Sequence, residues 1–285
     1  MLVVNAHASG ARRELVAGVE DELRRLGACT TTLVTESAAE WIDAFRDEDG
    51  DRRVVLVGGD GTLHATVDEA TGRPDIALIP AGRANNVARS LGIPLSPRAA
   101  AKLAAEGAVR PIDLIEARTP TASRATVEAV SVGFLAEARS HYHGDNSAHL
   151  LSALAAGAHA LASFRPLHAR IELPDSAVEL ELTQLFVANL PLYGFGLHVA
   201  PAAVPTDELL DVVAVGPRSR VAIPSLIGRL HGDGVDDAHD VHHWLAERAW
   251  VETAESSPIV ADSFDLGTGP LEVRVRPREL RIVRP

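Results

Sequence analysis

Val54-Val55-Leu56-Val57-Gly58-Gly59-Asp60-Gly61-Thr62-Leu63 is the stretch whose reading decides the fold. Val54–Val57 is an unbroken apolar run rich in β-branched residues, the pattern of a strand buried on both faces. Gly58 and Gly59 end it, and Leu63–Ala70 follows at once with helical spacing. A buried strand passing directly into a helix is the first half of a βα unit. Glycines at the turn let the backbone bend sharply and bring its N–H groups close to a ligand. The helix N-terminus adds positive potential, so the turn suits a phosphate. No Gly-Lys-Ser/Thr follows, which excludes a Walker loop, and the spacing is not G-x-G-x-x-G. A tight turn without a ligand is the plain alternative, but adjacent glycines followed by Asp-Gly-Thr are much more specific than a generic glycine-rich turn.

The same alternation extends outward. Leu2–Asn5 reads as a strand, and Leu15, Val16, Val19, Leu23 and Leu26 fall on one helical face that Gly27 stops. Thr31–Thr35 is a β-branched strand, Ala38–Phe45 a helix and Ile76–Pro80 another strand, with helices over Asn85–Leu91 and Pro97–Glu106. This order predicts a Rossmann-like α/β domain with a mostly parallel sheet. After Ile112-Asp113-Leu114 much of the chain alternates with period two. Ala169–Leu173 and Val178–Leu182 flank Pro174-Asp175-Ser176 as a hairpin, and Leu271–Arg276 and Leu280–Val283 alternate cleanly. These strands predict an antiparallel β-sandwich. The boundary is placed near residue 115, giving domains 1–115 and 116–285, with Thr119–Arg124 as a loop.

Composition narrows the function. The chain has 285 residues, 46% hydrophobic and 23% charged, which is ordinary globular composition. A net charge of −12 disfavours nucleic acid and broad electrostatic attachment to anionic membranes. All basic residues but Lys102 are Arg, a compositional bias that carries no function. A single cysteine, Cys29, excludes an intramolecular disulfide and a multi-cysteine zinc site and fits a reducing compartment. Met1–Asn5 does not read as a signal peptide, and no stretch approaches the ~18 apolar residues of a transmembrane span.

At Gly58–Thr62 the sequence resembles the diacylglycerol kinase catalytic family, which includes sphingosine kinases and bacterial lipid kinases and carries Gly-Gly-Asp-Gly-Thr here. Asn5-Ala6-His7-Ala8-Ser9-Gly10 resembles the family's Asn-Pro-x-Ser-Gly, with Ala6 for Pro and one extra residue. The stretch from Ile79 through Gly82-Arg83-Ala84-Asn85-Asn86 to Pro94 resembles its Pro-x-Gly-Thr-x-Asn-Asp motif. Val187-Ala188-Asn189, Gly194-Phe195-Gly196 and Ala200-Pro201-Ala202 match a third stretch. Thr206-Asp207-Glu208-Leu209-Leu210-Asp211-Val212 resembles Asp-Asp-Gly-x-Leu-Asp-Val, and Asp262 falls where the family has Asp-Gly-Glu. The matches run in order over nearly the whole chain.

The resemblance implies an ATP- and Mg2+-dependent kinase that moves the γ-phosphoryl group of ATP to a lipid hydroxyl, with the last strand packing back on the first domain. It implies nucleotide contacts from Gly58, Gly59, Asp60, Gly61, Thr62, Gly82, Arg83 and Asn85. It places Asp60 and Asp207, with Asn86, in an aspartate network around magnesium, whose preference is for hard oxygen ligands. Asp262 takes the position of the general base, with Asp60 as the second catalytic carboxylate. Each role has a plainer counterpart: a turn aspartate at Asp60, a helix cap at Asn85, a solvated loop carboxylate at Asp207, a turn residue at Asp262.

Three departures from the family pattern bear on activity. Arg83 stands for Thr, Asn86 for Asp, and Ser263-Phe264 for Gly-Glu. Arg83 has three placements open to it: clamping a phosphate, pairing with Asp60, or solvent. The expected partner is a lipid met peripherally by a cytoplasmic protein, with no nucleic acid, and with a homodimer permitted by an exposed sheet edge. An NAD kinase, which shares the Gly-Gly-Asp-Gly turn, and a binding protein that has lost turnover are the alternatives. Two further patterns read as bland. His231–His243 is a polar loop leading into Trp244, although His239 and His243 stand at metal-ligand spacing. Asp47–Asp51 is a turn, because the twelfth position from Asp47 is Gly58 and not Glu.

Overall fold

The computed structural model describes residues 1–8, 10, 12–37, 39–40, 43, 53–72, 74–141, 149–232, 234 and 240–285. They form two compact units, Met1–Leu114 with Pro277–Pro285, and Ile115–Arg276.

The first unit runs β1 (Leu2–Asn5), α1 (Arg13–Arg25), β2 (Thr32–Thr35), β3 (Val54–Gly58), α2 (Asp60–Ala70), β4 (Ile76–Pro80), α3 (Asn86–Ser90) and α4 (Pro97–Glu106). Its sheet has the order β2-β1-β3-β4, and every pairing is parallel. Val4, Val55, Val57, Ala77 and Ile79 pack against Val19 and Leu23 of α1 and Ala100, Ala101 and Ala104 of α4. Val3, Val54, Leu56 and Ile76 alternate with them and are also buried, so both faces of the sheet are covered. The Arg53 guanidinium donates to the carbonyls of Ala104, Ala105 and Gly107, a cation at the negative end of α4. The chain's last residues belong here. Ile282 bridges Ile76, Leu280 bridges Thr71 and Val283 bridges Val109, while Ile282 is fully buried.

The second unit contains β5 (Ile112–Arg118), which begins in the first unit, then β6 (Ser123–Thr126), β7 (Ala129–Gly133), α5 (Phe134–Ser140), α6 (His149–Ser163), β8 (Leu167–Leu173), β9 (Ser176–Leu182) and β10 (Gln184–Ala188). It continues with β11 (Leu192–Tyr193), β12 (Leu197–His198), β13 (Leu210–Val215), α7 (Ile223–Leu230), β14 (Val241–Ala246), β15 (Arg248–Thr253), β16 (Ile259–Ala261), β17 (Phe264–Asp265) and β18 (Leu271–Leu280). Two six-stranded sheets form, β14-β13-β10-β7-β16-β17 and β6-β5-β18-β15-β8-β9. The hairpin β8–β9 and the ladders of β7, β10 and β13 are antiparallel. Val130, Leu185, Val187 and Val212 of one sheet share a core with Ile171, Val251, Leu271 and Val273 of the other, which makes the unit a sandwich.

The α/β-then-β order read from the periodicity is the order the chain adopts. Four local readings need correction or fall outside the described residues. Ser123 and Arg124 already belong to β6, leaving a tight Thr119–Ala122 connection closed by Thr119 N–H on the Ala122 carbonyl. His242 and His243 are not loop residues but lie in the edge strand β14, because β13 supplies a ladder that no local pattern announces. The 38–45 helix and the 47–51 turn lie largely or wholly outside the described residues, as does His239.

Ile282 gives the test of the returning tail. Ile282→Ala is expected to cost about 2–4 kcal/mol, as large-to-small changes at buried positions do, read as a lower urea midpoint at unchanged slope.

Candidate functional site

The sequence-selected residues fall into two groups, one on each unit. On the first unit, the turn after β3 meets the turn after β4. Backbone packs on backbone here: a Cβ on Gly59 would lie 2.8 Å from the Cα of Gly82, and a Cβ on Gly82 would collide with Gly59 in return. Gly58 is equally confined, by the Thr62 side chain. These glycines are therefore fixed by packing, whatever ligand they meet. Gly61 differs. It is exposed, lies in the first turn of α2, and a Cβ there would meet nothing within 4 Å.

Asp60 opens α2, and its Oδ1 accepts the N–H of Val87 at 3.1 Å. Val87 is the second residue of α3, so Asp60 caps a helix 27 positions away. It does not bond its own turn. Asn85, just before α3, has a left-handed backbone (φ 50°) and makes no capping bond to the helix. Its carboxamide closes on Gly82 instead, Oδ1 accepting Gly82 N–H at 2.9 Å and Nδ2 donating to the Gly82 carbonyl at 3.0 Å. The helix-cap reading of Asn85 is thus replaced: Asp60 supplies the cap, and Asn85 shapes the loop. Thr62 is buried, and its Oγ1 accepts Asn5 Nδ2 at 2.9 Å, so its side chain points inward and ties β1 to α2. Asn86 is buried at the start of α3. Arg83 is exposed and forms no ion pair with Asp60. A cavity of about 10 Å3, lined by Gly58, Gly59, Asp60, Asn85 and Val87, has room for about one water.

On the second unit, Asp207 is exposed, and its Oδ1 accepts Leu209 N–H at 3.1 Å in an Asx turn. Glu208, at the place of a glycine in the family pattern, keeps the left-handed backbone that glycine favours (φ 64°). Asp262 is 7% exposed and sits in the turn between β16 and β17, also left-handed (φ 51°). Oδ2 accepts Val127 N–H at 2.8 Å, and Oδ1 accepts Glu128 at 2.8 Å and Ala129 at 3.3 Å. Asn189 grips the same segment from its carbonyl side, through Nδ2 on Val127 O and its own N–H on Glu128 O.

Buried groups surround Asp262 that the sequence did not single out. Glu128 is 1% exposed, and Tyr193 is buried with its ring edge-on to Phe186. The Tyr193 phenol is pushed well above its ordinary range by burial and then by the charges of Asp262 and Glu128, against a partial pull from Arg139 and Ser131. It is a neutral hydroxyl at every physiological pH. No local signal could have found this cluster, since Asp262 and Val127 are 135 residues apart. His243 of β14 bonds the buried Asp211 of β13 at 2.7 Å. Among the described residues no three His, Cys, Asp or Glu side chains gather as a metal cage.

Residues 1–117 match the family model of the diacylglycerol kinase catalytic domain, and residues 128–284 match the YegS C-terminal NAD kinase beta sandwich-like domain. A "probable lipid kinase YegS-like" protein of Xanthomonas campestris is 31% identical, over 83% of this chain and 80% of its own. One of Pseudomonas putida is 31% identical over 100% of this chain and 95% of its own. Two solved structures share the fold. A diacylglycerol kinase from Bacillus anthracis superposes with a TM-score of 0.75 at 20% identity, covering 100% of this chain and 96% of that one. An NAD kinase from Archaeoglobus fulgidus in complex with ATP gives 0.57 at 15%, covering 99% and 92%.

Two substitutions test these geometries by urea unfolding. Asp60→Ala removes the acceptor for Val87 N–H and should cost about 1 kcal/mol, while Asp60→Asn keeps an oxygen there and should cost less than half of that. Asp262→Asn turns one acceptor into an amide that faces a backbone N–H, and should cost about 2 kcal/mol.

Proposed function

The chain belongs to the diacylglycerol kinase catalytic family with a YegS-type C-terminal domain, and on that premise we propose that it transfers the γ-phosphoryl group of ATP to the hydroxyl of a lipid. The observation that carries this reading is the exposed first turn of α2 at Gly61, held against the Gly82–Asn85 loop by the Asp60 and Gly59 contacts. Phosphoryl transfer asks a protein for positioning and charge neutralisation more than covalent chemistry. A helix N-terminus in a rigid glycine turn provides both for the phosphates of ATP.

Gly58, Gly59 and Gly82 shape the cradle, Gly61 is the open face on which phosphate rests, and Asn85 holds the neighbouring loop. Thr62 contributes through the turn it stabilises and not through its hydroxyl, which faces Asn5. Arg83, exposed beside this loop, is free to reach an anion. Magnesium fits these residues as an ion arriving with the nucleotide: such sites use one or two carboxylates plus phosphate oxygens, and Asp60 keeps Oδ2 for this while Oδ1 caps α3. Asn86 adds no charge to such a site, and Asp207 offers an exposed carboxylate on the other unit. Bound Mg2+ would neutralise charge developing on the transferred group.

Asp262 is the group assigned to take the proton from the acceptor hydroxyl, whose oxygen then attacks the γ-phosphorus as ADP leaves. Three backbone N–H donors fix its carboxylate. Lipid hydroxyls lie at a membrane surface, and no helix among the described residues is long and apolar enough to cross one. A peripheral encounter from the cytoplasm is the mode that agrees with both.

A γ-phosphate transfer assay over diacylglycerol, sphingoid base, ceramide, undecaprenol and NAD tests the reaction. Label on a lipid supports it, and label on NAD alone overturns it. The nucleotide site has its own test. Gly61→Ala should fold with equal or slightly higher stability, since alanine gains up to about 1 kcal/mol over glycine in a helix. It should nevertheless weaken ATP binding about tenfold or more, because a methyl group would stand where phosphate approaches backbone. Unchanged ATP affinity in isothermal titration would remove the phosphate from this turn.

A further inference from the structure

Asp262 is held on one side by the Val127–Ala129 segment, through its own N–H on the Ala129 carbonyl and its carboxylate on three amides, while the turn that follows it has less support. Its turn joins β16 to β17, β17 has two residues and forms the edge of its sheet, and Asp262 itself is left-handed. β16 pairs with β7 on one side, and on the other the β16–β17 ladder supplies the pairs Val260–Asp265 and Ala261–Phe264. A carboxylate that must meet a hydroxyl within a few tenths of an ångström gains from support on the side of the turn that leads away from it as well.

Two arginines from separate elements reach the turn. Arg139, on α5, donates from Nη2 to the carbonyl of Ser263 at 3.1 Å. Arg124, on β6, lays its guanidinium over the ring of Phe264, with Cζ 3.5 Å from the centroid. A guanidinium over an aromatic face is held by the ring quadrupole, and a planar cation suits this better than most. Residues 263 and 264 are therefore clamped one after the other, and they directly follow Asp262.

We propose that Arg124, through Phe264, and Arg139, through Ser263, are positioning residues that fix the Asp262 carboxylate against the Val127–Ala129 amides. This rests on the reading of Asp262 as the base. Neither arginine is assigned contact with substrate. Phe264, which departs from the acidic residue of the family pattern, becomes a working part: its ring face seats Arg124 where the family pattern has a carboxylate.

Two readouts test it together. Amide hydrogen exchange at Val127, Glu128 and Ala129, followed by NMR, reports how firmly Asp262 is held, because those are the amides it accepts. Initial rates with ATP, magnesium and dioleoylphosphatidylcholine vesicles carrying dioleoylglycerol report turnover. Phe264→Leu keeps bulk and removes the π face, and Arg124→Met keeps length and removes the cation. Both should speed exchange at the three amides and lower kcat by about tenfold, leaving the KM for ATP unchanged. Phe264→Tyr keeps the ring face and should leave both readouts within about twofold of the parent. Parent-like exchange in the Leu and Met variants overturns the proposal. So does faster exchange with unaltered kcat, or failure of Phe264→Tyr to keep the parent's readouts. A fully active Asp262→Ser would remove the base assignment instead, and an enzyme silent on dioleoylglycerol would count against that acceptor. In both cases the exchange data still decide whether the arginines hold the turn.

Discussion

The first unit depends on one close approach: the backbone of Gly59 against the backbone of Gly82. Two βα turns of a parallel sheet can lie this near each other only where neither carries a side chain. Once they do, short bonds become available across them. The Asp60 carboxylate reaches Val87 N–H, and the Asn85 carboxamide closes on both backbone groups of Gly82. Helix α3 has only five residues, too few to be stable alone, and its cap comes from this neighbouring turn. The glycine-rich pattern is thus first a packing device. The same packing leaves Gly61 open to solvent, which is why a phosphate reading attaches to that residue and not equally to all three glycines of the turn.

The second unit uses an aspartate in the opposite sense. Asp60 reaches forward to organise a helix, whereas Asp262 reaches back to the N–H groups of the β6–β7 connection. Asn189 holds the carbonyls of that same segment, so Val127–Ala129 is gripped through its donors and its acceptors at once. The buried Glu128 and the neutral Tyr193 phenol close the surroundings. A carboxylate held this way has little freedom, which suits a proton acceptor and equally suits a turn that must not move. Its two readings, base and turn residue, describe one geometry.

The departures from the family pattern also acquire physical meaning. Arg83 is not folded onto Asp60, so it does not occupy the proposed nucleotide site with its own ion pair. Asn86 is buried, where exchange of a charge for an amide alters what the interior must accommodate. Phe264 carries a cation on its face, and Glu208 accepts a left-handed backbone that glycine would adopt with less strain. Each is a substitution the fold has absorbed.

Periodicity alone determined the architecture. A buried run ended by glycines and followed by a helical face can be read locally, because strand and helix differ in the spacing of their apolar residues. The parallel unit, the antiparallel sandwich and the hairpin at 174–176 were legible for that reason. The turn at Gly58–Thr62 was legible as a close approach of backbone, because only glycine leaves room for one. Tertiary structure decided what the polar residues do. Asn85 looks like a cap and is not one, the Thr62 hydroxyl accepts from Asn5 across 57 residues, and His243 looks like loop and pairs with Asp211 across a ladder. Asp60 finds its partner 27 residues on and Asp262 finds its own 135 residues back. A polar side chain has many possible partners of equal chemistry, and only the packing of distant backbone selects among them.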